Sequence, residues 1–427
     1  MSTPTLGRKA QHKGARGKGA TVHEGKFWTH LRSATWLIFG ITVTTFFLRY
    51  FGWLNSLETS SLDFLLRLRE PVKPKYVWLV AITDKDYADP KLFKKTSPLD
   101  SEQLRNVISA VANLKPRVIG VDVDTSDSRN VRPETKVPIV WGQRMTSAED
   151  ANERHTLPVL GNEQPQPAAN ELGISAMPAD ADGAVRRYQR KIPVAGGEVD
   201  SLPWAVAKAF CRIIVADATA ASDLKARCQK ILDSESRKKY QRPLLLTFPE
   251  PPHSAVRVIS ASDVLRIAGN DGWKNNPTFR DGIVMLGGTF ALSGDVSYKT
   301  PLGTRAGMQL FSDAIETELQ GRPITPLNEV LMVIFELIGG YLLVAWHFVS
   351  KGWSAVTLRV TAVPVLAMAS SFFAFSSLAY WANFVPVLAG VLIHELYEHF
   401  KHHRDLIREM RQLKENRRRS RKGRGYR

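Results

Sequence analysis

Five aspartates stand where an α/β protein would meet a bound ligand. They are Asp84, Asp86, Asp122, Asp124 and Asp295. The first four end short β-branched runs that are typical of strands, and ligands of open parallel sheets bind at the carboxyl ends of strands. Carboxylates gathered there suit a hard metal cation or a cationic ligand. The alternative is that these aspartates cap helices and fix turns, which is a routine role of Asp.

Catalysis needs more than carboxylates, and residues 55–326 contain only two histidines, His155 and His253. Both stand in apparent loops. The sequence has no Gly-x-Ser-x-Gly elbow, no phosphate-binding loop and no His-Glu-x-x-His segment. Its glycine-containing stretches LGGT and PLGTRAG lack the order of a dinucleotide fingerprint. We therefore expect no enzymatic activity and no cofactor.

Metal ligation is the next possibility, because His394, Glu398 and His402 recur at four-residue spacing. Two imidazoles and a carboxylate on one helix face can bind a transition metal. A neighbouring set of the same kind, however, shows how little this spacing selects. We favour a solvated helix beside the membrane and expect no metal site.

Cys211 and Cys228 are the only cysteines of the chain. If their segment lies outside the cytoplasm, a disulfide is permitted by the redox environment. Closing a loop of this length would stabilise the fold by about 3 kcal/mol in the chain-entropy model. Two buried free thiols are the equal alternative.

The elements that must position these residues have an α/β pattern. Apolar runs at 76–83, 117–124, 137–142, 243–248 and 282–288 predict strands. Amphipathic segments at 101–114, 202–218, 260–268 and 307–321 predict helices between and after them. This alternation is typical of a largely parallel sheet with helices packed on it. The polar stretch 145–178 predicts a long excursion over the domain surface.

Four hydrophobic segments predict crossings of a membrane. The resulting organisation is a basic segment at 1–33, crossings at 34–54, 328–349, 356–379 and 380–396, a domain at 55–326, and a basic tail at 397–427. The first crossing is expected to be a retained signal anchor. Glu336 within the second crossing is a costly intramembrane carboxylate, which is either functional, or reaches headgroups or pairs with another helix.

Positive charge is concentrated at the two ends of the chain. Residues 1–33 carry +6 and residues 401–427 carry +9 of the net charge of +17. Such clusters mark the cytoplasmic side and attract anionic lipid. Both ends are therefore predicted in the cytoplasm, with the domain outside. Nucleic acid is the less favoured partner.

The tail from Arg404 onward is predicted to be a docking element for lipid or for a separate protein. A helical start would place an apolar stripe beside basic groups, while the last eleven residues are expected to be disordered. The docking residues are Arg404, Ile407, Arg408, Met410, Arg411, Leu413, Arg417, Arg418 and Arg419.

Several local motifs resemble those of the CHASE sensory domains of the second type, which are extracytoplasmic sensors of bacterial membrane receptors. The resembling segments, in chain order, are SLDFLLRLR at 61–69, VWLVAITDKDYAD at 77–89, RVIGVDVD at 117–124, DADGAVRRY at 180–188 and RDGIVMLGGTFALSGDVSYKTPLG at 280–303. The resemblance covers nearly all of residues 62–327. The sequence departs from the family at Phe311, where histidine is common, and at KTSPLD, 95–100. Family members usually carry a fused output domain, which we do not expect here.

The resemblance implies a multi-pass protein of the bacterial inner membrane whose outer domain recognises an envelope signal or partner. It would pass that signal to a separate cytoplasmic or membrane protein. The alternative is a non-enzymatic scaffold or assembly factor of an envelope complex that reuses the sensory fold.

Overall fold

A computed structural model describes two compact units of the chain. The sheet unit comprises residues 62–326 and 374–381, and the helical unit comprises residues 1–61, 327–373 and 382–427. The described residues within them are 35–69, 73–127, 129–130, 132–146, 153–161, 166–235, 243–247, 257–269, 279–293, 297–320, 323–349 and 353–424.

The strands of the described residues are short, and all of them lie in the sheet unit. They are β1 Val77–Ile82, β2 Val118–Asp122, β3 Ile139–Gln143, β4 Leu172–Ile174, β5 Arg187–Tyr188, β6 Lys191–Val194, β7 Gly197–Asp200, β8 Leu244–Leu245, β9 Val258–Ser260, β10 Ile283–Gly288, β11 Tyr298–Thr300, β12 Gly303–Arg305, β13 Thr325–Pro326 and β14 Tyr380–Trp381.

The helices connect these strands and form the helical unit. They are α1 Thr35–Tyr50, α2 Asn55–Leu68, α3 Asp84–Ala88, α4 Ser101–Asn113, α5 Leu202–Ala216, α6 Ser222–Asp233, α7 Ala261–Gly269, α8 Gly307–Leu319, α9 Glu329–Val349, α10 Trp353–Ser377 and α11 Val385–Arg424.

Six strands form one entirely parallel sheet in the order β4-β3-β2-β10-β1-β9. The register pairs Val77 with Ile283 and Ile283 with Val118 across the centre. The predicted largely parallel α/β domain is thereby confirmed, with four of the five predicted strands in this sheet. The carboxyl ends of five of these strands therefore lie along one edge, at Ile82, Asp122, Gln143, Ile174 and Gly288.

Helices cover both faces of the sheet because side chains of a strand alternate between the faces. On β1, Val80 and Ile82 pack into a cluster with α4 and α7. Val77 and Leu79 pack into the opposite cluster with α5 and α8. A sheet buried on both faces explains the continuous apolar runs in the sequence.

Two sequence predictions fail at the margins of the sheet. Within the predicted strand 243–248, Leu244–Leu245 form β8, which pairs antiparallel with β5 and does not join the parallel sheet. The surface excursion predicted for 145–178 contains β4, whose Gly173 and Ile174 are buried at the edge of the sheet. Three residues that lack a clear alternating pattern are too short a signal for a strand, and tertiary pairing decides their conformation.

The helical unit contains α1, α9, α10 and α11. Thr45 of α1 donates a hydrogen bond to Glu336 of α9 at 3.3 Å. At Gly340 of α9, an added Cβ would lie 2.9 Å from the Ile38 side chain of α1, so the glycine allows the helices to approach closely. Glu336 thus pairs with another helix.

Within the described part of the chain, no single helix is at once long and apolar enough to cross a membrane. The pair α1 and α2 meets those criteria jointly, although its axes are bent by 87°, and Thr361–Ser377 is a shorter apolar helix.

Two boundaries differ from the sequence prediction. Tyr380–Trp381 forms β14, so the last helix begins at Val385 rather than at residue 380. The same helix continues to Arg424, so residues 417–424 are helical rather than disordered. Arg and Lys have high intrinsic helix propensity, which lets a helix already begun in an apolar segment continue through them.

Candidate functional site

A cleft of about 750 Å³ opens at the carboxyl ends of the parallel strands. Asp122 ends β2 and Val123 follows it, Gly142 and Arg144 lie at the end of β3, and Ser175 follows β4. This edge is where the sequence placed a ligand site, and it is where ligands of open parallel sheets usually bind. The cleft has the size of a small-molecule pocket.

The described lining of the cleft contains carboxylates and one guanidinium. Asp124 accepts two hydrogen bonds from Ser126, and its other oxygen lies 3.1 Å from Arg144 Nη1. Burial raises the pKa of Asp124, but the hydrogen bonds from Ser126 and the charge of Arg144 outweigh it and lower that pKa. Asp127 has a pKa of about 2, because Arg129 donates hydrogen bonds to it from its side chain and backbone. Both groups are therefore negatively charged at neutral pH.

The cleft lining also contains aromatic and apolar side chains. Tyr87 of α3 and Phe290 are stacked, with ring centroids 4.4 Å apart and planes within 9°. Phe311, in the second turn of α8, and Met177, after β4, complete the apolar lining. A lining that combines aromatic rings and carboxylates suits a ligand that carries a positive charge, since both attract cations.

Glycine at the end of β3 allows neighbouring chain segments to approach closely. A Cβ on Gly142 would lie 2.3 Å from Ser175 Oγ and 2.8 Å from the carbonyl oxygen of Val121. The Ser175 hydroxyl has no hydrogen-bond partner among the described residues. Its oxygen atom is buried, although Ser175 belongs to the lining of the cleft.

The five predicted site aspartates have different fates in the structure. Asp122 and Asp124 line the cleft. Asp84 is exposed at the start of α3, where it accepts a hydrogen bond from the amide of Ala291 at 2.9 Å. Asp295 lies outside the described residues.

Asp86 has the capping role that was the alternative interpretation. It is buried, and its Oδ2 accepts hydrogen bonds of 2.9 Å from the amide and the hydroxyl of Thr83. Its Oδ1 accepts from the amide of Ser262 at the start of α7. Asp86 therefore joins two helix starts and does not line the cleft. Among the described residues, no three His, Cys, Asp or Glu side chains are grouped to hold a metal ion.

A second set of charged residues, which the sequence analysis missed, is centred on a buried arginine of the sheet unit. Arg186 is almost fully buried and donates hydrogen bonds to Asp63, Asp180 and Asp182. Its neighbour Arg187 lies over the ring of Trp381, 5.8 Å from the centroid. The Arg-Arg pair of the DADGAVRRY segment thus contacts α2 through one residue and β14 through the other.

Helix α8 is buried on all sides and carries further charges into the core. The Oε1 atom of Glu316 accepts hydrogen bonds from the backbone amides of Lys75, Tyr76 and Val77, at 2.6 to 2.8 Å. Glu318 accepts two hydrogen bonds from Arg190, and both residues are buried. These carboxylates fix the first strand and β6 against α8.

Cys211 and Cys228 are both buried and free, on α5 and α6. Their thiols are hydrogen-bonded to each other, and this contact together with burial raises the pKa of Cys211. Contact is what a disulfide requires, so both alternatives for this pair stay open.

The chain thus contains a parallel α/β domain with a cleft at its strand ends. The family model of the CHASE2 domain matches residues 38–349, and the chain belongs to this family. CHASE2 domains are extracellular sensory domains of membrane receptors. No curated protein and no solved structure gives a match to the chain.

Proposed function

We propose that this protein is a multi-pass membrane sensor whose outer domain binds a small ligand in the cleft at the strand ends. The observation that carries the proposal is the cleft itself, in a domain of a sensory family. Its position at the carboxyl edge of a parallel sheet is the position of ligand sites in proteins of this architecture. We propose no enzymatic activity for the protein.

The lining selects the chemical class of the ligand. Asp122 and Asp124 contribute carboxylates to the lining, and Tyr87, Phe290 and Phe311 contribute aromatic rings. A small organic cation, such as an amine, is attracted both by the carboxylates and by the aromatic rings.

The ligand proposal is tested by thermal unfolding of the full chain in detergent with a panel of small amines and their uncharged analogues. We expect an amine to raise the unfolding temperature of the wild type and not that of Asp122→Asn, each compared with the same protein without ligand. Asp86→Asn is the matched control, since it should lower the unfolding temperature without ligand and keep the ligand-induced shift. Equal responses of both variants to the amine would contradict a site at Asp122.

The proposed topology places residues 55–326 outside and both ends in the cytoplasm. The basic segments at 1–33 and 401–427 and the predicted crossings support it. Single cysteines at Ser2, Asn170 and Tyr426 are to be labelled in intact cells with a reagent that does not cross membranes. Only Asn170→Cys should react. Protection of Asn170→Cys until the cells are opened would overturn the topology.

The output is proposed to pass through α11 to a separate cytoplasmic protein. Helix α11 is continuous from Val385 to Arg424, and Met410 and Leu413 are exposed on it. Residues 404–427 add a charge of +8, which is worth about 1 kcal/mol per basic residue near anionic lipid. Charge alone makes binding indifferent to sequence, whereas a protein partner also needs the apolar stripe.

Two variants separate lipid attraction from partner docking. One lacks residues 404–427, and the other replaces Ile407, Met410 and Leu413 by serine. Both should insert normally, and both should lose the partner captured by crosslinking from intact membranes. If the serine variant captures the partner as well as the wild type does, charge alone mediates the contact. Stoichiometric capture within a large envelope complex, independent of the tail, would instead favour the scaffold.

A further inference from the structure

Helix α2 carries an apolar stripe that no described residue covers. Leu57, Phe64 and Leu68 are between 43% and 57% exposed. Their spacing of seven and four residues places them on one face of the helix. Exposed Ser56, Ser60 and Arg67 border the stripe on its polar side. A narrow apolar stripe beside polar residues is the pattern of a helix that lies at an interface between water and an apolar phase.

The opposite face of α2 is fixed to the sheet unit. Leu62, Leu65 and Leu66 are buried. Arg67 donates a hydrogen bond to the carbonyl oxygen of Pro301 at 3.1 Å, and Asp63 accepts two from Arg186. Because the face with Leu62, Leu65 and Leu66 is packed within the sheet unit, α2 cannot insert into the hydrocarbon core of a bilayer. Only its exposed stripe is available to an apolar phase.

The stripe is continuous with an aromatic group at the end of α1. Tyr50, Phe51 and Trp53 are each at least 66% exposed. Trp and Tyr are enriched where a membrane-crossing helix meets the headgroups. Arg49 at the end of α1 donates a hydrogen bond of 3.0 Å to Glu58 in the first turn of α2, which fixes the bend between the two helices. That bend is 87°.

We propose that α2 is an interfacial helix, whose stripe of Leu57, Phe64 and Leu68 lies in the headgroup region of the outer leaflet together with Tyr50, Phe51 and Trp53. A helix at right angles to a crossing helix lies in the plane of the membrane. The proposal rests on the proposed topology, in which α1 crosses and α2 emerges outside. Its partner is a lipid surface.

A second copy of the chain is the competing occupant of this face. A stable interface buries about 800 Å² on each partner. The stripe on α2 itself contributes only three half-exposed side chains, which are a small part of that area. Residues of mixed aromatic and aliphatic character next to a crossing helix match a lipid interface better than a packed helix pair.

The experiment uses the full chain in liposomes with a polarity-sensitive fluorophore on Leu57→Cys or Phe64→Cys. Ser56→Cys is the control on the polar side of the same helix, and Asn170→Cys is the control in water. The wild-type chain sets the background, because Cys211 and Cys228 are buried. Each label is quenched in turn by iodide from the water and by quenchers attached near the lipid headgroups or at the ends of the acyl chains.

We expect labels at positions 57 and 64 to be quenched most by the headgroup quencher, and the controls to be quenched most by iodide. Iodide quenching at position 64 equal to that at position 170 would overturn the proposal. So would stronger quenching from the acyl-chain ends, which would indicate a re-entrant helix. Disulfide crosslinking of Phe64→Cys between copies would assign the face to a second chain. Labelling of Asn170→Cys in intact cells is measured first, so failure of the topology is recognised separately.

Discussion

Arg186 donates two hydrogen bonds to Asp63, which lies 123 residues earlier in the chain, at 2.5 and 2.9 Å. Two further carboxylates, Asp180 and Asp182, complete the surroundings of the guanidinium. Through this one contact the turn DADGAVRR is joined to α2, directly after the proposed first crossing. The arginine is nearly fully buried, so its charge depends on these partners.

Removing Arg186 should destabilise the protein strongly. Breaking a buried ion pair by removing one partner typically costs 3–5 kcal/mol, because the remaining charges are left uncompensated. We expect a loss of about 3–5 kcal/mol in the free energy of unfolding for Arg186→Met, measured by denaturant unfolding of the full chain in detergent. The control is Arg227→Met, which removes an ion pair on the surface of α6 and should cost less than about 1 kcal/mol. Similar losses in the two variants would contradict a structural role for the buried cluster.

The pH dependence of stability should report on the same cluster through Asp182. Hydrogen bonds from Arg186 hold the pKa of Asp182 well below its ordinary value of 3.8. Below that value the unfolded chain therefore binds more protons than the native state, and stability rises with pH. The contribution of Asp182 is complete above about pH 5 and is lost as the pH falls through its lowered pKa.

The measurement is the thermal unfolding midpoint of the full chain between about pH 6 and about pH 3. Asp182→Asn should show a flatter acid limb than the wild type. Glu198→Gln, which changes an exposed carboxylate of β7, should keep the wild-type slope. An unchanged acid limb in Asp182→Asn would show that its carboxylate is not held by Arg186.

The sheet and the cleft edge could be predicted from sequence because their signals are local. Apolar runs with β-branched residues predicted β1, β2, β3 and β10. An aspartate at the end of such a run, Asp122, indicated the edge where the cleft lies. The assignment of Asp86 needed more, because its partners include the amide of Ser262, 176 residues away. A strand followed by Thr-Asp-Lys-Asp fits a cleft ligand and a capping box equally well.

The buried charges could not be predicted because their partners are distant in the chain. Glu316 accepts hydrogen bonds from three amides about 240 residues earlier, and nothing near it in sequence shows this. The pattern of α8 does contain a signal in retrospect. Asp313, Glu316 and Glu318 interrupt a helix that is apolar on several faces, and a buried helix can carry carboxylates only if they are paired.

The two cysteines should form a disulfide when a thiol oxidant is added to the folded protein. Their thiols are in contact across α5 and α6. The oxidant accepts two electrons as the two thiols lose their protons, and the closed loop should add about 3 kcal/mol to the free energy of unfolding. Mass spectrometry after alkylation in denaturant gives the outcome. Two alkylated cysteines after oxidation of the native chain would mean that the thiols cannot reach disulfide geometry.

Trp381 should hold the segment before α11 against the sheet unit. Tyr380–Trp381 pairs in parallel with Thr325–Pro326, and the amide of Thr325 donates to the carbonyl oxygen of Ala379 at 3.0 Å. Arg187 lies over the Trp381 ring, and such a contact is worth about 0.5–2 kcal/mol. Val385, the first residue of α11, follows four residues later. Loss of the ring should therefore loosen the start of the helix that we propose carries the output.

Hydrogen exchange of the full chain tests this role. In Trp381→Ala, the amides of residues 323–326 and 378–384 should exchange faster than in the wild type, because the two-residue β ladder depends on the ring to hold it. Arg187→Ala should act on the same two segments and more weakly, since the indole remains buried by its other contacts. Residues 283–288, at the centre of the parallel sheet, are the internal control and should exchange as slowly in both variants as in the wild type. Faster exchange throughout the sheet would indicate general destabilisation. Unchanged exchange at 378–384 in Trp381→Ala would show that the ring does not hold this segment, and the route from the sheet unit to α11 would have to run elsewhere.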